Sequence, residues 1–221
     1  MAAERNVDII VREELFPASR WSLPFLPSRQ KVLVEVGAAR PDYLSIGASF
    51  REKGWKVVAI EPNPVFCEAH RTIGHDVLQY ACSSEDKDDV DFYVVDSMSA
   101  DYMGGEVSHE SFSSLGIRGD FEKLHKTVAS NTVTSIIKVK VRKLDTIIST
   151  HEPKIRTIDI LAIDVEGWEL DVLRGFSMDR YRPKVVIMEN NFDDEQYRSY
   201  MDEAGYTLWR RLAPNEIYVR E

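Results

Sequence analysis

The chain has 221 residues, enough for one α/β domain with a sizeable core, and its 43% hydrophobic and 29% charged composition excludes an intrinsically disordered polymer. No apolar run reaches the roughly 18 residues of a membrane span, and the first six residues lack the apolar core of a secretory signal, so a cytoplasmic protein is expected. With 37 acidic against 28 basic residues the net charge is −9, a field that repels polyanions and argues against nucleic acid as a partner.

Residues 1–30 read as an N-terminal extension that packs on the domain. A short helix can open it, Pro17, Pro24 and Pro27 punctuate it, and Phe16, Trp21 and Phe25 are suited to cover an edge or a substrate opening. The domain proper is expected over 31–221. Val32 to Val36 is a short apolar run ending at Gly37, as in a buried parallel strand. A helix is predicted from about Asp42 to Lys53, with Gly54 past its last turn. Lys56 to Ile60 is a second strand, and Pro64 opens a helix of about ten residues that stops at Gly74. Val77 to Tyr80 and Val90 to Val95 give a third and a fourth strand. Asp96 to about Thr134 has little periodicity and reads as an irregular insertion, a type of segment often tied to function.

Ile136 to Val141 alternates apolar and basic residues, as a half-exposed strand does, and Leu144 to Ser149 suggests a short helix. Ile158 to Asp164 is another buried strand; a helix carrying Leu170 and Leu173 follows and ends near Gly175. Lys184 to Met188 is a further strand, Asp193 to Ala204 a helix stopped by Gly205, and Tyr206 to Arg211 with Glu216 to Arg220 a closing hairpin. Strands alternating with helices predict an α/β fold, a mostly parallel sheet with helices on both faces and a closing antiparallel pair. The two cysteines, Cys67 and Cys82, lack metal-ligand spacing and are expected to be reduced.

In such sheets ligands bind beyond the carboxyl ends of the strands, where the strand order reverses. Three strand ends here carry acids. The first, Glu35-Val36-Gly37-Ala38-Ala39-Arg40-Pro41, has small residues that admit a ligand to the backbone. It lacks the G-x-G-x-x-G spacing of dinucleotide folds, and Pro41 removes an N–H that a pyrophosphate cradle would use. S-adenosylmethionine carries no phosphate and needs no cradle; Glu35 can receive its ammonium, or the turn can simply pack well. The second end is Glu61, 26 residues after Glu35, where a carboxylate can accept from both hydroxyls of an adenosine ribose or stand as a surface acid before the Pro62-Asn63-Pro64 turn. The third, Asp164-Val165-Glu166-Gly167-Trp168-Glu169, has three acids in six residues. Glu166 and Glu169 suit a helix N-terminus electrostatically, whereas Asp164 ends an apolar strand and points to chemistry.

These motifs resemble the FkbM family of methyltransferases, whose members carry a D-x-G-A-N-x-G turn, an E-P-N/E-P element, a later T/K-L-D segment and a K-I-D-V-E-G-x-E signature. The matching residues are Glu35-Val36-Gly37-Ala38, Glu61-Pro62-Asn63-Pro64, Val141 to Asp145 and Ile163 to Glu169, with Leu173-Arg174-Gly175 after the signature. The chain departs from the pattern at Glu35 (usually Asp), at Ala39 and Pro41 (commonly Asn and Gly) and at Ala162 (lysine in the signature). The resemblance covers about residues 31–190. It implies a Rossmann-like methyltransferase sheet and O-methylation of a sugar, glycolipid or polyketide-type hydroxyl, with a small-molecule or carbohydrate acceptor as partner. The cofactor-binding set is expected to be Glu35, Gly37, Ala38, Glu61, Pro62, Asn63, Ala81, Cys82 and Asp164.

An alcohol nucleophile must lose its proton as it attacks, or meet a metal that lowers its pKa. The candidate bases are Asp164, Glu166 and His109, with His125 a second histidine of the insertion. The metal alternative sets Asp164 beside Glu189 and Asn190 at the next strand end. It resembles catechol O-methyltransferases, which place acidic and amide oxygens around Mg²⁺ at two such ends, and a hard divalent cation such as Mg²⁺ suits these donors. Two rival readings are a nucleotide-cofactor oxidoreductase, which the missing glycine fingerprint disfavours, and a non-catalytic adenosine-binding module.

Overall fold

The computed structural model describes residues 3–17, 29–96, 100–102, 105–107, 113–116, 118 and 133–220. Its centre is a seven-stranded sheet. In chain order its strands are β1 (Val32–Val36), β2 (Lys56–Ile60), β3 (Val77–Leu78), β9 (Ile160–Ile163), β10 (Val185–Glu189), β11 (Tyr206–Leu212) and β12 (Asn215–Arg220). They lie side by side in the order β11-β12-β10-β9-β1-β2-β3. All neighbours pair in parallel except β12, which runs antiparallel to both β10 and β11. The closing pair is therefore the expected hairpin, with its second strand inserted next to β10.

The five residues of β1 and the four of β9 are all buried because the sheet is covered on both faces. Alternate residues go to opposite sides. Val34, Val36, Leu161, Ile163, Val186 and Met188 join one core, under α4 (Leu144–His151), α5 (Glu169–Arg174) and α7 (Glu195–Glu203). Leu33, Ile160, Ala162, Val185 and Ile187 join the other, under α1 (Val7–Leu15) and α2 (Ile46–Glu52). The remaining helices are α3 (Pro64–Thr72) and the short α6 (Met178–Tyr181).

The strand order reverses at β1. From it the chain moves outward to β2 and β3, then returns to β9 on the other side, so the crevice between the ends of β1 and β9 is the switch point.

Several boundaries differ from expectation. The helix predicted from Asp42 begins at Ile46, because residues 41–44 make a turn, with Leu44 at φ 52°, and the buried Glu35 carboxylate accepts the Gly47 N–H at 2.9 Å. The third strand stops at Leu78; after Gln79 and Tyr80 the chain enters β4 (Ala81–Cys82), which belongs to a separate three-stranded sheet with β8 (Val133–Arg142) and β5 (Lys87–Asp96). The strands predicted at 90–95 and 136–141 are longer, and they pair antiparallel from Lys87↔Val141 to Asp96↔Val133. The irregular segment thus connects two hydrogen-bonded strands. Its described parts include the pair β6 (Ala100–Tyr102) and β7 (Gly105–Val107), and Ser114, which bridges to Tyr93.

Candidate functional site

Gly37 ends β1 at φ +81°, and a Cβ there would lie 1.8 Å from the Asp164 carbonyl oxygen. Only glycine lets the ends of β1 and β9 come this close. The chain turns here across β2: Gly37 and Ala38 donate backbone N–H groups to the Ile60 carbonyl at 3.0 and 3.1 Å. Ala39 then takes a left-handed φ of 42°, where a non-glycine residue is strained. Its N–H donates to Glu61 Oε2 at 2.9 Å, and its carbonyl accepts from His70 Nε2 at 3.1 Å.

Glu61 is therefore fixed from two sides, since its Oε1 accepts the Asn63 N–H at 2.8 Å. Burial raises the carboxyl from 4.5 to about 7 despite these two N–H donors, and the charge of Glu35 adds to the rise. Glu61, Pro62, Gly37 and Ala39 line a cleft of about 610 Å³, counting its open mouth, within the size range of small-ligand sites. The far wall is apolar and comes from three separate elements: Phe66 of α3, Ala81 and Cys82 of β4, and Phe92 of β5.

Asn63 does not line this cleft. Its side chain accepts the Val65 N–H at 3.0 Å and so caps α3. Glu35, with Gly37, Ala38, Ser45 and Asp164, lines an adjoining recess of about 490 Å³. Its Oε1 caps α2, its Oε2 has no hydrogen-bond partner among the described residues, and burial raises its pKa above the usual carboxylate value.

Asp164 lines both spaces, which places it where the two meet. Its carboxyl is open to the cleft yet surrounded by protein. Burial, then the charges of Glu169, Glu4 and Glu35, push it up to about 7, while a hydrogen bond with Glu189 opposes the rise. Glu189 ends β10, and that strand pairs with β9 in register up to Met188↔Ile163, so the two acids emerge side by side. The turn after Asp164 brings in a third: Glu166, at a left-handed φ of 57°, is 6% exposed. One carboxylate oxygen from each of Asp164, Glu166 and Glu189 lies within 4.8 Å of the others. Burial and mutual repulsion raise Glu166 and Glu189 well above the usual range.

Two other acids of the matching motifs hold the backbone in place. Glu169 accepts the N–H groups of Val165 and Gly167 at 3.0 and 3.1 Å and the Tyr197 hydroxyl at 2.6 Å, tying the acidic turn to α7. Asp145 accepts from Ser177 N at 2.8 Å and from the Ser177 hydroxyl, fixing the start of α6. Asn190, expected in the metal set, is engaged by its neighbours: its amide donates to Glu216 and to the Asp194 carbonyl, and its carbonyl accepts the Asp194 N–H at 2.8 Å. Glu166 lies beside Asp164 and Glu189. His109 and His125 lie outside the described residues.

Sequence reasoning missed two groups. Glu4, in a 3-10 turn before α1, bears electrostatically on Asp164, Glu166 and Glu189 across more than 150 residues of chain, and nothing in its local pattern announces that position. Ser113, Ser114 and Leu115 close one side of the cleft together with Trp168. Trp168 Nε1 donates to the Gly116 carbonyl at 2.9 Å, and Arg118 stacks on its ring while pairing with Asp171 at 2.7 Å. A tryptophan inside an acidic signature was the available signal.

Comparison with known proteins agrees with the fold. The crystal structure of methyltransferase FkbM from Methylobacillus flagellatus KT superposes with a TM-score of 0.51 at 12% identity, covering 92% of this chain and 46% of that one. The likeness is one of fold, and this chain spans under half the length of that neighbour. No curated protein matches. The family model for the methyltransferase FkbM domain matches residues 35–208, from the carboxylate that caps α2 to the first strand of the closing hairpin. That match takes in all three acidic strand ends and most of the chain: the protein belongs to the FkbM methyltransferase family.

Proposed function

We propose that this protein transfers a methyl group from S-adenosylmethionine to a hydroxyl of a small molecule: a sugar, a glycolipid or a polyketide-like compound. The observation that carries the reading is Glu61, a buried carboxylate at the end of β2 facing the cleft that begins at the switch-point glycine. The residues present fit the cofactor chemically. Glu61 has lone pairs left to accept from two ribose hydroxyls, Phe66, Ala81, Cys82 and Phe92 offer an apolar slot for an adenine, and the Glu35–Asp164 recess offers carboxylates to an ammonium. Nothing in the turn after β1 makes the row of N–H donors that a pyrophosphate needs, because the Ala39 N–H is already given to Glu61.

When bound, the cofactor supplies an electrophilic methyl on a sulfonium. The protein's part is to align the acceptor oxygen with that methyl, and alignment of this kind is worth several kcal/mol of barrier. Asp164 stands where the cleft and the recess meet, in position to orient the acceptor hydroxyl and to take its proton. Trp168 and residues 113–115 cover the same mouth and limit water.

The test is thermal. S-adenosylmethionine and its demethylated product should each raise the melting midpoint, NADH should not, and Glu61→Ala should remove most of the rise. Saturating product without effect on the wild-type protein would sink the reading. Turnover on a panel of sugars, glycolipids and small alcohols then identifies the acceptor class.

A further inference from the structure

We propose that Asp164, Glu166 and Glu189 form the binding site of one hard divalent cation of the Mg²⁺ or Mn²⁺ kind, with Glu4 as an additional negative charge nearby. The three side chains come from the end of β9, the turn after it and the end of β10, and each presents an oxygen within 4.8 Å of the other two. Two oxygens bound to one such ion at roughly 2.1–2.4 Å lie at most about 4.8 Å apart, so an ion fits between them with small side-chain adjustments.

The spacing alone would describe only an acidic cluster. The independent observation is that Glu166 Oε2 and Glu189 Oε2 are both buried and have no hydrogen-bond partner among the described residues. Buried carboxylate oxygens ordinarily find an N–H, a hydroxyl or a cation, because leaving them without one is costly. Asp8 and Glu35 each leave one oxygen free but give the other a backbone N–H, and three further buried acids are fully engaged. Asp159 has Arg29 and Lys184, Glu216 has Arg198, and Glu169 has Tyr197 and two backbone N–H groups. Among the described residues no lysine or arginine pairs with Asp164, Glu166 or Glu189, and Glu4 adds a further acid. A divalent cation supplies the missing charge and accepts both free oxygens. All-oxygen ligands select a hard ion over zinc or copper.

Asp164 is open to the cleft, so an ion held here keeps coordination positions facing the space where an acceptor would lie. That functional consequence rests on the methyltransferase reading; the binding of the ion does not. The full chain, stripped with EDTA and desalted, should take up one Mn²⁺ saturably by electron paramagnetic resonance, with Mg²⁺ competing and the melting midpoint rising. Glu166→Gln and Glu189→Gln each remove one of the crowded charges and should fold; each should weaken Mn²⁺ by at least about tenfold. No saturable uptake at millimolar Mn²⁺, no rise of the wild-type midpoint, or unchanged affinity in both variants overturns the site. Binding of the demethylated cofactor product in EDTA is measured separately. Its presence without Mn²⁺ uptake rejects the cation and leaves the cofactor reading intact, and the reverse result does the opposite.

Discussion

At the scale of single residues the turn after β1 carries two opposite strains. Gly37 has no room for a Cβ against the Asp164 carbonyl, which belongs to backbone and cannot swing aside. Gly37→Ala should therefore cost at least about 3 kcal/mol or abolish folding, and equilibrium unfolding in urea will measure it. Ala39 shows the converse. It holds a left-handed φ that alanine disfavours, so Ala39→Gly should gain roughly 1 kcal/mol in the same assay; a loss would mean that its methyl packs better than its backbone is strained. Glu61 adds a pH dependence. Folding lifts its carboxyl from 4.5 to about 7, so the folded chain keeps a proton that the unfolded chain has released. Its contribution is therefore full below pH 4.5 and is lost as pH rises through about 7. Glu61→Gln should flatten that part of the stability curve by up to about 3 kcal/mol, read from urea midpoints at about pH 5 and about pH 8. Parallel curves for the two proteins would contradict it. The place of Glu61 at the cleft was legible in the sequence because it follows from a local pattern, an acid directly after an apolar strand. The partnership of Glu166 with Asp164 and Glu189 was not. It depends on a left-handed residue in the turn and on Asn190 being drawn away by Asp194 and Glu216, neither of which a strand pattern encodes.

Among the elements, β1, β2, β9 and β10 read cleanly because a parallel strand covered on both faces is continuously apolar. β4 did not, being two residues long and defined only by pairing with β8 some sixty residues later. That pairing matters to the site, since β4 supplies part of the apolar wall of the cleft. Residues 113–116 and 118 reach the site through another long-range contact, the bond from Trp168 to Gly116 and the stacking of Arg118. Trp168→Ala should loosen it. Hydrogen exchange should rise at residues 113–116 and affinity for the demethylated cofactor product should fall, while exchange in β1 and β9 stays unchanged. Uniform loss of protection across the sheet would show instead that Trp168 holds the whole fold. Asp145 offers the contrasting case of a motif residue with a purely local task. Asp145→Ala should cost about 1 kcal/mol through the start of α6, with ligand affinity intact.

For the molecule as a whole, charge opposes compactness. The chain carries a net −9, and one concentration of like charge lies at the sheet edge, where Glu4, Asp164, Glu166 and Glu189 repel one another. Ion pairs elsewhere are mostly exposed, such as Arg210–Glu14 and Lys138–Asp91, and pairs of that kind contribute little and lose little when screened. Repulsion should dominate the salt response. Raising NaCl from about 0.01 M to about 0.2 M shortens the screening length from roughly 30 Å to under 10 Å and should raise the melting midpoint. A fall would mean that attractive pairs outweigh the acidic edge. Mg²⁺ at equal ionic strength separates general screening from a seated ion. If screening alone acts, the two salts give the same midpoint; if the carboxylates at the ends of β9 and β10 hold the cation, Mg²⁺ raises it further, and Glu189→Gln cancels that excess while reducing the response to NaCl only in part.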